Sequence, residues 1–112
     1  MVKYVTFNEL EELIAGEKPV VCDFWATWCG PCRMLAPVFE DVSDKFEGKA
    51  EFVKIDVDEN EDAAVKYGIT SIPNIIIFKN GKPAANNLGF VPENALTAFV
   101  EKISENGKSG CF

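Results

Sequence analysis

Apolar and polar positions along the chain follow two periods, and together they predict nine elements. Near-continuous apolar runs are typical of strands covered on both faces, and apolar residues at every third or fourth position indicate helices. The predicted elements are strand Val2–Thr6, helix Asn8–Ala15, strand Val20–Trp25, a long helix to Phe46, strand Phe52–Val57, helix Asn60–Tyr67, strands Ile75–Phe78 and Pro83–Leu88, and a closing helix that Pro92 opens and Gly107 ends. Strands alternating with helices predict an α/β fold, a mixed five-stranded sheet flanked by four helices on its two faces.

Three local signals refine this prediction. Asn8, with Glu11 three residues later, is a suitable N-cap pair for the first helix. Pro37 removes a backbone donor inside the long helix and is expected to kink it. Asn80-Gly81 supplies the positive φ angles of a type I′ turn, so the last two strands are expected to form an antiparallel hairpin.

Composition and charge place the chain among ordinary globular domains. Of its 112 residues, 47% are apolar and 26% are charged, and the formal net charge is −7. A chain of this length can bury one core, so residues 1–112 are expected to form a single domain with a flexible tail over 108–112. Nucleic acids and anionic membranes require basic patches, so the acidic charge argues against both as partners. No signal peptide or membrane-length apolar run is found, and we therefore expect a cytoplasmic protein.

The segment Trp28-Cys29-Gly30-Pro31-Cys32 places two thiols three residues apart at a predicted strand-to-helix junction. Positions i and i+3 of a helix lie on one face within side-chain reach, and a disulfide needs Cα atoms roughly 4.4–6.8 Å apart. If Cys29 caps the helix, the free N–H groups and the positive end of the helix dipole stabilise a thiolate there. The pair can therefore open and close as a disulfide.

A Cys-x-x-Cys pair also occurs in zinc and iron–sulfur sites, so the number of ligands matters. The chain has four cysteines and no histidine. Structural zinc needs four ligands, and Cys22 and Cys111 are too far apart in the sequence to form a second close pair. We therefore expect no bound metal. Cys22 is expected to be a small buried hydrophobe, and Cys111 an exposed thiol that either links two chains on oxidation or is inert.

Two charged residues lie within apolar strands. Asp23 belongs to the second strand, where burial of a carboxylate is costly and raises its pKa. Such a group can accept the proton of Cys32. The alternative is that Asp23 lies at the strand end with its side chain exposed to solvent. Lys54 has the same ambiguity, since it is either buried beside a carboxylate or exposed on an edge strand.

Most of the chain resembles the thioredoxin family, in motifs that follow the family's order. The matching segments are Asp23–Met34 with Pro37, Lys54–Asp58, Tyr67–Ile69, Ser71–Pro73, Phe78–Gly81 and Gly89. The resemblance implies the thioredoxin fold, with Asp23 as the proton acceptor for Cys32 and Lys54 paired with Asp23. It also implies a cis bond before Pro73, opposite the disulfide, where a trans bond at a strand start would be the ordinary expectation.

The resemblance also implies a substrate-binding surface around Cys29. Its members would be Trp28, Ile72, Pro73, Leu88, Gly89 and Phe90. The backbone of Ile72 would bind an extended substrate segment through main-chain hydrogen bonds. Leu88 and Phe90 are alternatively core residues at a strand end. Phe90 and Asn74 depart from the family pattern, which more often has a small residue and a threonine there, so partner preference stays open.

The implied function is reduction of protein disulfides by dithiol–disulfide exchange. Cys29 would attack the substrate and Cys32 would resolve the mixed disulfide. The supporting residues would be Gly30, Pro31, Lys54 and Pro73. A thioredoxin reductase would restore the dithiol with electrons from NADPH, so the chain itself would bind no cofactor. Its other partners would be disulfide-containing proteins, and it would act as a monomer.

The direction of electron flow can be argued from Gly30-Pro31. In oxidising relatives a histidine between the cysteines stabilises the reduced form and makes the disulfide a stronger oxidant. Gly30-Pro31 carries no charge and therefore favours a reducing protein. One alternative is an oxidase or isomerase of the same fold in an oxidising compartment, and the missing signal and histidine argue against it. The other alternative is a binding module that docks a partner without turnover. Such a module would not need Cys29, Cys32 and Asp23, and all three are present.

Overall fold

The apolar runs of the sequence form one five-stranded sheet in the computed structural model, which describes residues 1–106. The elements are β1 (Val2–Tyr4), α1 (Phe7–Ile14), β2 (Val20–Trp25), α2 (Gly30–Lys45), β3 (Glu51–Asp56), α3 (Glu61–Lys66), β4 (Asn74–Lys79), β5 (Lys82–Leu88) and α4 (Glu93–Asn106). The predicted element order and fold class are confirmed. Gly107, the predicted tail and Cys111 lie outside the described residues.

The most apolar strand, β2, is central in the sheet order β1-β3-β2-β4-β5. It pairs in parallel with β3 and antiparallel with β4. Five of its six residues are buried, because helices cover both faces of the sheet. Phe24, Asn74 and Leu88 are in register across β2, β4 and β5. Three segments therefore meet at one edge of the sheet, where these strands begin or end. They are the segment after β2, the segment before β4 and the segment after β5.

Alternation along the strands divides the core into two layers. One layer lies between the sheet and α2 with α4; its buried members include Val21, Leu35, Phe39, Ile77, Leu96 and Val100. The other lies between the sheet and α1 with α3; its members include Leu10, Cys22, Phe24, Val53, Ala63 and Ile76. The predicted apolar stripe of α4 faces the first layer. Helix α2 continues through Pro37, and the kink there stays a prediction.

The β4–β5 hairpin has the turn that Asn80-Gly81 predicts. Asn80 has φ of 56° and Gly81 has φ of 83°, the two positive values that a type I′ turn requires. The register shifts between Ile77 and Phe78, so that Ile77 pairs with Ala85 and Phe78 with Pro83. Such an irregularity on an edge strand accommodates a proline, which has no N–H to donate.

The predicted N-cap of α1 was wrong by two residues. Thr6 Oγ1 accepts a hydrogen bond from Glu9 N at 3.2 Å, and Glu9 Oε1 accepts one from Thr6 N at 2.9 Å. This reciprocal capping box starts the helix at Phe7, and Asn8 is an exposed helical residue. Because Thr6 turns away to cap α1, β1 ends at Tyr4 rather than at Thr6.

Two other helix starts differ in detail from the prediction. Asn60 precedes α3, but its side chain makes no capping bond and instead accepts from Phe7 N at 3.0 Å, which ties α3 to the start of α1. Pro92 is not the first residue of α4. Its carbonyl accepts the first helical bond, from Leu96 N at 2.9 Å, and Glu93 is the first helical residue.

Candidate active site

The paired cysteines lie at the N-terminus of α2, directly after the central strand. Cys29 is the N-cap residue in an extended conformation, with φ of −90° and ψ of 114°. Cys32 follows in the first turn, and its Cα is 5.2 Å from that of Cys29, within the range that a disulfide requires. The two residues form a disulfide. The predicted capping geometry is therefore present.

The sulfur of Cys29 occupies the position of an anion at a helix N-terminus. The backbone N–H of Cys32 donates to Cys29 Sγ at 3.2 Å. In the reduced protein this sulfur would be a thiol or thiolate, and a thiolate there gains the hydrogen bond and the positive end of the helix dipole. Both effects favour the thiolate, the nucleophilic form of a cysteine, at this position.

The segment before β4 lies against the disulfide. The Ile72–Pro73 peptide bond is cis, as the resemblance implied. The carbonyl oxygen of Ile72 is 3.9 Å from Cys29 Sγ, and the carbonyl of Pro73 accepts from Gly89 N at 2.8 Å. Gly89 has φ of 86°, a conformation that favours glycine. Three separate chain segments therefore converge beside Cys29, as the strand register requires.

Large apolar side chains at this edge are exposed. Trp28 is 67% exposed, Leu88 61% and Phe90 43%, so the alternative that Leu88 and Phe90 are core residues was wrong. The indole N–H of Trp28 donates to Asp58 Oδ2 at 2.8 Å. The sequence analysis includes Asp58 in a segment that matches the family but assigns it no role. Large exposed apolar side chains at one end of a sheet are candidates for an interaction site.

Asp23 is buried in β2 and does not turn to water. Its exposed fraction is zero, and within residues 1–106 neither carboxylate oxygen has a hydrogen-bond partner. Burial raises the pKa of Asp23 to about 7, because the charged form loses its hydration, and the nearby Lys54 ammonium opposes this rise. Asp23 can therefore hold or release a proton near neutral pH.

Lys54 is buried beside Asp23 rather than exposed on an edge strand. It is 5% exposed, and its Nζ is 3.9 Å from Asp23 Oδ2, close enough for an ion pair but too long for a hydrogen bond. The ammonium also lies 4.8 Å from the ring centroid of Trp25 and 5.5 Å from that of Tyr4. Sequence reasoning missed Tyr4; the signal was its place in β1, opposite Lys54 in register.

Cys22 points to the other face of β2 and belongs to the α1–α3 core layer, as predicted. Burial raises its pKa well above the ordinary value, and the neighbouring Asp23 adds to the rise. Over residues 1–106 no group of three or more histidine, cysteine or acidic side chains could hold a metal ion. None of the helices in this same range is long and apolar enough to span a membrane.

A family model for thioredoxin matches residues 1–102. The chain belongs to the thioredoxin family. It is 48% identical over 92 residues to the thioredoxin of Synechocystis, covering 82% of this chain and 86% of the relative. It is 45% identical over 102 residues to that of Staphylococcus haemolyticus, covering 91% and 96%. The solved structure of Malassezia sympodialis thioredoxin superposes with a TM-score of 0.86 at 39% identity, covering 93% of this chain and 91% of that one.

Membership of the thioredoxin family and the Cys29–Cys32 pair identify the chain as a protein-disulfide oxidoreductase acting by dithiol–disulfide exchange. Thioredoxins carry out this exchange with their own two sulfur atoms and need no bound cofactor. Their substrates are proteins that contain disulfides. The family resemblance read from the sequence motifs is thereby confirmed.

Proposed function

We propose that this thioredoxin works as a general reductase of protein disulfides, with Cys29 as the nucleophile and Cys32 as the resolving thiol. The observation that carries the proposal is the contact of Cys29 Sγ with the N–H of Cys32 at the start of α2. The uncharged Gly30 and Pro31 support the reducing direction, since they give the thiolate no extra charge partner. In oxidising relatives a histidine between the cysteines is such a partner.

The first step forms a mixed disulfide. The Cys29 thiolate attacks one sulfur of the substrate disulfide, the substrate S–S bond breaks, and the other substrate sulfur leaves as a thiolate. In the second step Asp23 accepts the proton of Cys32, and the resulting thiolate attacks Cys29 Sγ. The second substrate sulfur leaves, and the Cys29–Cys32 disulfide remains. The pKa of about 7 supports Asp23 as the acceptor.

Substrates would dock on the apolar surface around Cys29. We assign to it Trp28, Ile72, Pro73, Leu88, Gly89 and Phe90. An extended substrate segment would lie along the backbone of Ile72, whose carbonyl is 3.9 Å from Cys29 Sγ, so a substrate sulfur held there would be close to the nucleophile. Gly30 and Pro31 start α2, and Pro73 shapes the facing segment.

Two electrons must return to the Cys29–Cys32 disulfide after each cycle. We propose that a thioredoxin reductase supplies them from NADPH, and that the protein acts in the cytoplasm as a single-domain monomer over residues 1–112. Cys111 would then be inert in turnover and would link two chains only under oxidising conditions.

Equilibration with glutathione tests the reducing direction. The pair is expected to be half oxidised near roughly −270 mV, the value typical of thioredoxins, rather than near roughly −180 mV, typical of protein disulfide isomerase. Half-oxidation near roughly −180 mV would contradict the reductase proposal and favour an isomerase or oxidase.

Turnover of an insulin-type disulfide separates catalysis from simple binding. Cys29→Ser should abolish turnover, and Cys22→Ala, which removes a buried thiol outside the pair, should retain it. Equal rates for Cys29→Ser and wild type would exclude Cys29 from the mechanism.

The two-step scheme has its own test in Cys32→Ser. This variant should accumulate a covalent mixed disulfide with the substrate, visible by electrophoresis without reductant, because no thiol can resolve it. Asp23→Asn should slow release of the substrate more than the first attack, as followed by rapid mixing. An unchanged release rate would remove Asp23 from the role of proton acceptor.

A further inference from the structure

Three side chains stand in one row across three strands. The parallel register pairs Tyr4 on β1 with Lys54 on β3, and Lys54 with Asp23 on β2. In-register neighbours in a sheet project from the same face. The row runs from the exposed Tyr4 to the fully buried Asp23, so Lys54 is the intermediate between solvent and the carboxylate.

The Lys54 ammonium lacks a hydrogen bond to Asp23 that would hold it in place, because the two atoms are 3.9 Å apart. A lysine side chain is flexible and its charge is strongly hydrated, so it favours water unless other contacts retain it. Two aromatic rings provide those contacts, with centroids 4.8 Å (Trp25) and 5.5 Å (Tyr4) from Nζ. The rings also pack edge to face, 5.8 Å apart. Together they enclose the ammonium, which explains why Lys54 is only 5% exposed.

We propose that Tyr4 is a positioning residue for the resolving step: its ring, together with the indole of Trp25, keeps the Lys54 ammonium beside the Asp23 carboxylate. This inference rests on the proposed role of Asp23 as the acceptor of the Cys32 proton. Tyr4 itself touches neither the substrate nor the reacting sulfurs. It acts through Lys54, whose positive charge favours the ionised form of Asp23 and therefore the base that the second step needs.

The sign of the effect follows from the charges that face Asp23. Lys54 on β3 lowers the pKa of Asp23, against the larger effect of burial. The other ionisable side chains around this row are Asp56, two residues after Lys54 on the same face of β3, and Cys22 on the opposite face of β2. Asp56 Oδ1 accepts a hydrogen bond from Asp58 N at 2.8 Å. Cys29 and Cys32, at the start of α2, are joined in the disulfide. If the ring at position 4 is lost, the ammonium turns toward water and its field at Asp23 is screened. The pKa of Asp23 then rises, and less carboxylate is available below neutral pH.

The test measures the pKa of Asp23 by carboxyl carbon NMR in the oxidised protein, where Cys29 and Cys32 do not titrate. Tyr4→Leu, which keeps an apolar cover but removes the aromatic ring, should raise this pKa. Tyr4→Phe should restore the wild-type value, because the ring and not the hydroxyl makes the contact. Val2→Ala is the matched control, since it loosens the same strand on the same face without touching Lys54.

The rate of the resolving step provides a second test with the same variants. Below its pKa, a rise of about one in the pKa of Asp23 lowers the amount of ionised carboxylate about tenfold. Release of substrate from the mixed disulfide at pH 6 should therefore be about threefold to tenfold slower for Tyr4→Leu. The rate should equal that of wild type at pH 9, where Asp23 is ionised in both proteins. First attack by Cys29 should be unchanged.

A double-mutant cycle with Lys54→Met decides whether Tyr4 acts through Lys54. Lys54→Met should raise the pKa of Asp23, and Tyr4→Leu should add nothing on that background. The inference is overturned if Tyr4→Leu titrates like wild type, if Tyr4→Phe shifts the pKa as far as Tyr4→Leu, or if the shift persists without Lys54. Failure of the proposed function has a different signature, because Asp23→Asn would then leave release unchanged whatever the Tyr4 variants do to the pKa.

Discussion

Ionisation of the Asp23 carboxyl group conflicts with folding, because burial raises its pKa to about 7. This group is wholly buried, no donor in the described chain lies within hydrogen-bond distance, and its ion pair with Lys54 spans 3.9 Å. A buried charge with one distant partner is destabilising. A proton acceptor for Cys32 needs this raised affinity for protons, so the cost in stability accompanies the proposed role.

The pH dependence of stability provides a test at this residue. The pKa of Asp23 is raised from 3.8 to about 7, so between these values the native state binds more protons than the unfolded state. The free energy of unfolding should therefore fall as pH rises from about 4 to about 7, by an amount on the order of 3–4 kcal/mol from this group alone. Denaturant titrations at pH 4 and pH 7 measure the difference.

Asp23→Asn removes the ionisation and should flatten this slope. Asp62→Asn, at an exposed position of α3, is the control and should leave the slope in place. Equal slopes for wild type and Asp23→Asn would contradict the raised pKa of Asp23.

Sequence reasoning reached some of these residues and not others. Cys29 and Cys32 are identified by spacing alone, because spacing decides which side chains can meet within one helical turn. The burial of Asp23 and Lys54 was an open question, since it depends on which strands become neighbours. The exposure of Leu88 and the contact of Tyr4 with Lys54 depend on β5 and β1 being edge strands, and a single sequence does not reveal the sheet order.

At the level of the elements, periodicity located every strand and helix of the described chain but misplaced some ends. Helix α1 illustrates the cause. Thr6 with Glu9 and Asn8 with Glu11 are both plausible capping pairs, and they differ by two residues. The structure uses the first pair, and the helix that starts at Phe7 buries Leu10 and Ile14. Local signals therefore predict that a helix starts here, but they do not decide between two capping pairs two residues apart.

Thr6→Ala tests the assignment of the cap. It should lower the free energy of unfolding by about 1 kcal/mol, the usual effect of losing an N-cap hydroxyl. Asn8→Ala is a matched control inside the same helix and should be neutral or slightly stabilising, because alanine has the higher helix propensity. Urea unfolding of both variants at one pH compares them. A larger loss for Asn8→Ala would restore Asn8 as the cap.

At the level of the whole molecule, the sheet topology assembles the active site. Cys29 follows β2, Pro73 precedes β4 and Gly89 follows β5, and the antiparallel pairing of these strands brings all three segments to one edge. The apolar surface around Cys29 thus draws side chains from distant parts of the sequence. Its exposed members, Trp28, Leu88 and Phe90, would lose water when a substrate protein docks there.

Phe90 offers a test of that surface, because its ring is large, apolar and partly exposed. Phe90→Ala removes an apolar group that is 43% exposed and bears no chemical role. Burial of part of a phenylalanine contributes about 1 kcal/mol to docking, so KM for a protein disulfide should rise about fivefold with kcat nearly unchanged. Reduction of a small disulfide such as oxidised glutathione should proceed at the wild-type rate, since it covers little of the surface. Equal losses on both substrates would mean that Phe90 supports the active-site structure, and no loss on either would remove it from the docking surface.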